Sequence, residues 1–498
     1  MSKNKQILIF SGIGLLVLGG VTALLMLTAP ADEKPAEENE TVEEVIDERL
    51  ILTDKAEKDV VKIHVKNSSG EYSIIKDSEG TGWTIEGVET ANITAASLKT
   101  LAENAAAMTA EAFVEENSAE LDKYGLSTPE TTVTVYFSDS EFSFSIGNEV
   151  PASTSDVYLC ESGKNTVYTY KKSALSAFSG DKFSFIDRTA VPAYDQTTGE
   201  AVKKLTIERY DLDEPIVIEE IPAPEEGDIA VFSYRLTSPY DAYVDLTNAP
   251  NFIYSLFGLT ARSVAWYGME ESDYELSGLN RPNFKITMES TVKTYTLTLG
   301  KALIEEKTDE KGNVTTEVVG FYGMSSEVPD TLFVFSADDV PATSITAADL
   351  ISRLFLMPYI YSVETVEYSD NKGTSFTLGF EKIKGGAEDG SDICNHYLNG
   401  EAYDEQKIKD MYQYLISASG DELYFEEDKG ELIATVVYNY KDKAEGSDTV
   451  RFYSSDSDRS VIINVNGENL FKTKQSYINQ LYTNAENFLN GGEIVLTY

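Results

Sequence analysis

Histidine and cysteine together supply four side chains in 498 residues: His64, His396, Cys160 and Cys394. Cys394 and His396 stand two apart in the run from Asp392 to Tyr397, DICNHY, and a thiolate beside an imidazole is a donor pair that soft metals accept. A zinc site needs three or four protein ligands, and no CxxC or HxxxH motif supplies the remainder. His64 lies in VVKIHVK, Val60 to Lys66. Strand alternation there sets Val61, Ile63 and Val65 against Lys62, His64 and Lys66, so His64 reads as a solvated side chain. Two histidines in unrelated contexts leave a serine nucleophile without its base. No GxSxG, GxxxxGK[ST] or GxGxxG occurs.

Oxygen donors gather at DLDE (211 to 214), DGSD (389 to 392) and DSDR (456 to 459). None has the Asp-x-Asp-x-Asp-Gly order of a calcium loop, and short acidic runs are common turn formers. The 84 acidic residues guarantee neighbouring carboxylates, so pairs of the kind used in glycoside hydrolysis carry no information by abundance alone. The 30 tyrosines and 22 phenylalanines suit sheet packing; an exposed subset such as Trp83 or Trp266 would suit stacking on a glycan or a peptide. No catalytic, cofactor-binding or metal-binding residue is assigned, no cofactor is expected, and the protein is read as a non-enzyme.

The elements that hold these residues follow from length and pattern. At 498 residues the chain suggests roughly three domains. Its net charge of -44 repels nucleic acid and anionic headgroups. Residues 7 to 27, ILIFSGIGLLVLGGVTALLML, carry no charge and match the roughly 20 residues a bilayer-spanning helix needs. Lys3 and Lys5 precede this run and acidic residues follow it, which puts the bulk of the chain outside the cytoplasm. APA at 29 to 31 leaves a cleaved signal peptide as the competing reading. The expected organisation is a cytoplasmic stub at 1-5, a transmembrane anchor or uncleaved signal at 6-28, an acidic linker at 29-54, and α+β units at 55-195, 196-358 and 359-498, the last divergent. Neither cysteine follows the apolar run, and two cysteines so far apart make no disulfide framework.

YGLSTP at 124 to 129 and SGLNRP at 277 to 282 repeat Gly, Leu and Pro at one spacing. The glycine can end a helical stretch in the left-handed conformation, and the proline suits a strand entry. Alternating strands follow each, Thr131 to Phe137 with FSFSI, and FKITM with YTLTL. Gly147 and Gly300, each 22 positions past the first glycine, are expected to close these hairpins. The match continues through TVYTY and TLFVF, then FIDR (185 to 188) and LISR (350 to 353). VVKIHV, VKKLTI and VETVEY open the three units from Val60, Val202 and Val363. Helical stretches follow from Thr94 and Asp404, with Leu98, Leu101, Ala105 and Met108, and Ile408, Met411 and Leu415, expected on buried faces. The unit reads strand, strand, helix, hairpin, strand, strand, short helix: an antiparallel α+β sheet with helices on one face.

An N-terminal apolar anchor, an acidic linker and copies of YGL..P with the following hairpin resemble the family catalogued as domain of unknown function 4340 (DUF4340). The resemblance is best from Leu121 to Arg188 and from Leu276 to Arg353, and the third unit lacks the Gly-Leu-x-x-Pro junction. It implies a bacterial cell-envelope protein associated with ABC-type transport systems similar to those linked to gliding motility, with no established catalytic residues to carry over. The expected partners are the membrane, through one N-terminal helix, and envelope or ABC-transporter proteins. The expected location is the cell membrane, single-pass, bulk extracytoplasmic. A surface module that captures glycan or peptide is the alternative, and a carboxylate-dependent hydrolase the third reading.

Overall fold

The computed structural model describes residues 47–498, apart from 78–79, 81, 89–92, 152, 223–231, 246–251, 309–311, 388–392 and 442–445. The expected stub, anchor, most of the acidic linker and the DGSD run therefore lie outside the described residues. Residues 52 to 498 form one compact unit. Within it, alternation of apolar and polar residues builds antiparallel strands, as in Thr131–Phe137, where Val133 and Val135 are buried.

Three large sheets result. In the first, Trp83–Ile85, Gly70–Lys76, Val60–Asn67, Thr131–Phe137, Glu141–Glu149, Asp156–Glu161, Val167–Lys171 and Ala112–Glu115 lie side by side in that order. The second runs Ala242–Tyr243, Tyr234–Ser238, Ile216–Glu220, Val202–Arg209, Phe284–Ser290, Thr294–Thr308, Val314–Ser325, Val328–Ser336 and Ser263–Tyr267. The third runs Glu401–Ala402, Ile393–Leu398, Ser375–Ile383, Val363–Asp370, Leu432–Tyr440, Ser447–Ser454, Ser460–Val465, Glu468–Lys474 and Glu422–Leu423. One path generates all three. The chain starts on a central strand, meanders to one edge, and crosses over to lay a single strand at the far edge. It then returns beside the first strand and meanders out to meet that edge strand. The far-edge strand is an element the sequence reading lacks. A fourth, two-stranded sheet pairs Ile51–Asp54 with Ala107–Thr109. With helices Ala95–Ala106, Glu405–Ile416 and Gln475–Leu489, the class is α+β.

The third sheet repeats the detail as well as the order. Pairing to the neighbouring central strand slips between Val60 and Lys62, between Val202 and Lys204, and between Val363 and Thr365, which is the same β-bulge in each sheet. The bulge corrects the expected face of the first strand. Val60 turns inward with Ile63 and Val65, while Val61 is 51% exposed. The helix faces follow expectation at Leu98, Leu101, Ala105, Ile408, Met411 and Leu415, all buried. Met108 is also buried but lies in the short strand Ala107–Thr109.

The two Gly-Leu-x-x-Pro corners sit in like surroundings. A 3-10 turn, Leu121–Tyr124, ends on Gly125 at φ 71°, and a helix, Glu271–Ser277, ends on Gly278 at φ 75°. Leu126 and Leu279 are buried behind them. Gly147 and Gly300 do not close the hairpins as expected; both lie inside strands, Glu141–Glu149 and Thr294–Thr308. Their role is close approach. A Cβ at Gly147 would collide with the Tyr124 carbonyl oxygen and stand 2.9 Å from Leu126 Cγ. At Gly300 it would collide with the Ser277 carbonyl oxygen and stand 2.9 Å from the carbonyl carbon of Gly278. The constant 22-residue interval is the distance along the chain between a left-handed cap and the strand glycine that it lies against.

Candidate functional site

Consecutive sheets meet at joints built from backbone. The Thr94 amide donates to Phe185 O at 2.9 Å, and the Asp245 amide to Leu350 O at 2.7 Å. Across each joint, the Ala261 amide donates to Arg188 O at 2.8 Å and the Gly420 amide to Arg353 O at 3.1 Å. The first and last residues of FIDR and LISR thus do the same work twice. At the first joint the Arg188 guanidinium also donates to Arg262 O at 2.8 Å, and Phe183 meets Trp266 at 5.4 Å between ring centroids. At the second, Tyr240 stacks on Phe425 at 3.8 Å, and the Asp241 amide donates to a Glu468 carboxylate oxygen at 3.0 Å.

Two depressions accompany these contacts. One of about 400 Å³ at the first joint is lined by Thr94, Asp181, Ser184, Arg188, Arg262 and Ser263 among others. Its Asp181 is committed, accepting from the Phe183 amide at 2.7 Å and the Ser184 amide at 3.1 Å. The other, about 790 Å³ and open, lies against the edge strand of the third sheet. There the Lys472 ammonium stands 4.3 Å from the Tyr424 ring centroid and 3.3 Å from Asp456. Lysine, tyrosine and aspartate satisfying one another in this way form a packed polar surface.

The residues considered for chemistry are scattered. Cys160 and Cys394 are free thiols, one in the first sheet and one in the third. Burial pushes both above the usual thiol range, which disfavours the thiolate that a metal or a nucleophilic step needs. His396 is 6% exposed, set edge-on to Phe380 at 5.9 Å, and its Nε2 has no hydrogen-bond partner. Burial holds its pKa below the ordinary imidazole value, against the pull of the Glu405 carboxylate. His64 keeps a partly open position, its Nδ1 3.3 Å from Ser73 Oγ. Asp211 is clamped by both forks of Arg209, at 2.9 and 2.6 Å. Among the described residues no three His, Cys, Asp or Glu side chains converge to hold a metal. Trp83 is corrected from an exposed aromatic to a buried one: it is 4% exposed, its indole N–H donates to Glu57, and the Lys76 ammonium lies 3.9 Å from its ring.

Sequence reading missed one buried carboxylate. Glu200, 7% exposed, accepts from Ser290 Oγ at 2.5 Å and from the Tyr295 hydroxyl at 2.9 Å. Tyr295 is pushed up to about 12, by burial first and then by Glu200. Ninety positions separate Glu200 from Ser290, so no local pattern could reveal the pair. Two neutral donors on one carboxylate make a satisfied structural acceptor.

The fold and its surfaces define a tandem antiparallel α+β protein with one sheet plan used three times. The family model described as Domain of unknown function (DUF4340) matches residues 83–282. That stretch is similar to the DUF4340 family, in keeping with the motifs; the match opens at Trp83, takes in both Gly-Leu-x-x-Pro corners, and closes at Pro282. No curated protein and no solved structure matches the chain.

Proposed function

We propose that the protein is a non-enzymatic component of the cell envelope, held by a single membrane helix at 6-28, that serves an ABC-type transport or envelope assembly through protein contacts. The observation that carries this reading is the threefold reuse of one sheet order and one bulge, with one kind of joint made twice, a plan that multiplies surface. The charge of -44 keeps such a surface soluble and steers basic partners toward it. Among the described residues no helix is long and apolar enough to cross a membrane, so the anchor rests on the sequence of residues 7 to 27. Glycan or peptide capture loses Trp83 to the core, while Trp266, in contact with Phe183 at a joint, is still 46% exposed.

Cross-linking in native membranes tests the proposal. The full chain should fractionate with membrane and give adducts with a permease or another envelope protein. Recovery of the intact chain from the cytosol, or adducts with no envelope protein, would refute it.

A further inference from the structure

The middle sheet carries one feature that its neighbours lack. Its strands Thr294–Thr308 and Val314–Ser325 run for 15 and 12 residues. The equivalents have nine and six in the first sheet and eight and six in the third. The excess is a two-stranded ribbon: Ile304 faces Val318, Glu305 faces Glu317, Glu306 faces Thr316, Lys307 faces Thr315 and Thr308 faces Val314. Among the described residues no third strand pairs with Leu303–Thr308 or Val314–Val318. In a protein that repeats one plan, an insertion confined to one copy is not needed to complete the sheet.

Alternation gives the ribbon two unlike faces. One holds Ile304, Val314 and Val318, exposed at 61%, 59% and 44%, with Thr308, Thr316 and Glu306. The other holds Glu305, Lys307 and Glu317, with Lys307 paired to Glu317. An isolated two-stranded ribbon is marginal in water, and its second face sets two carboxylates, Glu305 and Glu317, against the single Lys307 ammonium, which leaves an excess of negative charge there. A cover that is apolar on one side and basic on the other relieves both faults.

We propose that the ribbon is a docking arm for a protein partner presenting an apolar cleft rimmed by lysine or arginine, an inference that rests on the protein-contact reading above. A second copy would bring another net charge of -44 against the same carboxylates, and an anionic bilayer surface would repel them likewise. Strands of five and six residues span about 20 Å, so one face offers only on the order of 200 Å², well short of the roughly 800 Å² per partner of a stable flat interface. A cleft that encloses both faces supplies more area and places its basic rim on Glu305, Glu306 and Glu317.

The test uses the full chain in native membranes, with p-benzoylphenylalanine placed separately at Ile304, Val61 and Tyr210. Ile304 should yield a heterologous adduct. Reversing Glu305, Glu306 and Glu317 to lysine should cut its yield about tenfold. Excising 303 to 318 in favour of a tight Asn-Gly turn should abolish binding without lowering Tm. An adduct of twice the chain mass, an adduct indifferent to charge reversal, or a Tm that falls on excision would each overturn the arm. Adducts at Val61 or Tyr210 with silence at Ile304 would sink the arm and leave the protein-contact reading standing, whereas silence at all three positions would sink both.

Discussion

Gly147 and Gly300 do for the sheet what Gly125 and Gly278 do for the corner, and the two roles have different costs. Gly125 and Gly278 need a positive φ, so alanine there strains the backbone by about 1 kcal/mol, and the added Cβ would also displace the Asn148 side chain at Gly125 and press on the Lys301 amide nitrogen, 3.0 Å away, at Gly278. Gly147 and Gly300 need room, because a Cβ runs into a backbone carbonyl that cannot rotate away as a side chain can. Gly147→Ala and Gly300→Ala should therefore each destabilise by about 2–3 kcal/mol, more than Gly125→Ala, in urea unfolding. Unequal losses at Gly147 and Gly300 would show that the corners are not equivalent. His396 adds a pH dependence. Its imidazole is buried with an unpartnered Nε2 and a lowered pKa. The unfolded chain then takes up the proton first as pH falls below about 6.5. The stability from burying the neutral ring is complete above that pH and is lost as pH drops toward the lowered value. Glu405, Lys409, Cys394 and Tyr412, which meets Phe380 at 5.5 Å, surround this site. His396→Phe keeps a ring and removes the titration, so its urea midpoint should fall less between about pH 7.5 and 5.5 than that of the parent. The glycine repeat was legible from spacing alone; its cause was not, because 22 residues of sequence do not show which two backbones touch.

Helices Glu405–Ile416 and Gln475–Leu489 brace each other through two tyrosines. Tyr414 and Tyr477 stack at 5.2 Å with nearly parallel rings. The Tyr414 hydroxyl donates to Tyr477 O at 2.8 Å, and the Tyr477 hydroxyl to Leu415 O at 3.2 Å. Tyr477→Phe should cost about 1 kcal/mol by removing one buried donor, and Tyr477→Ala about 3–5 kcal/mol by opening a cavity, both read by urea unfolding. A neutral Tyr477→Ala would mean that the helices do not pack as described. Periodicity located the helix Glu405–Ile416 and the strands that open each unit and each hairpin, because each buries one face of its own pattern. It could not reveal the edge strands Ala112–Glu115, Ser263–Tyr267 and Glu422–Leu423, whose short runs gain their place only from a partner more than forty residues away in the chain. The ribbon was hidden for the same reason: its alternation reads like that of any strand until its lack of a third neighbour is seen.

At the scale of the molecule, charge opposes compaction. Eighty-four acidic residues against forty basic ones leave -44 on the chain, and the ion pairs are mostly exposed. Lys66 with Glu71 and Lys172 with Glu149 are half-exposed or more on both partners. Exposed pairs contribute about 0–1 kcal/mol each and are screened together with the repulsion. The repulsive pairs far outnumber the attractive ones, so screening favours the folded chain. Raising NaCl from about 10 mM to about 0.3 M shortens the Debye length from roughly 30 Å to under 10 Å, and Tm at neutral pH should rise by a few degrees. The joints should share in the gain, since each sheet is acidic and each joint holds two such bodies together with a few backbone hydrogen bonds and one aromatic contact. Proteolysis between the sheets, near residues 192 to 200 and 353 to 362, should accordingly slow as salt rises, by severalfold if opening of the joints precedes cleavage. A Tm that fell with salt would mean that the ion pairs, and not the excess of carboxylates, set the electrostatic balance.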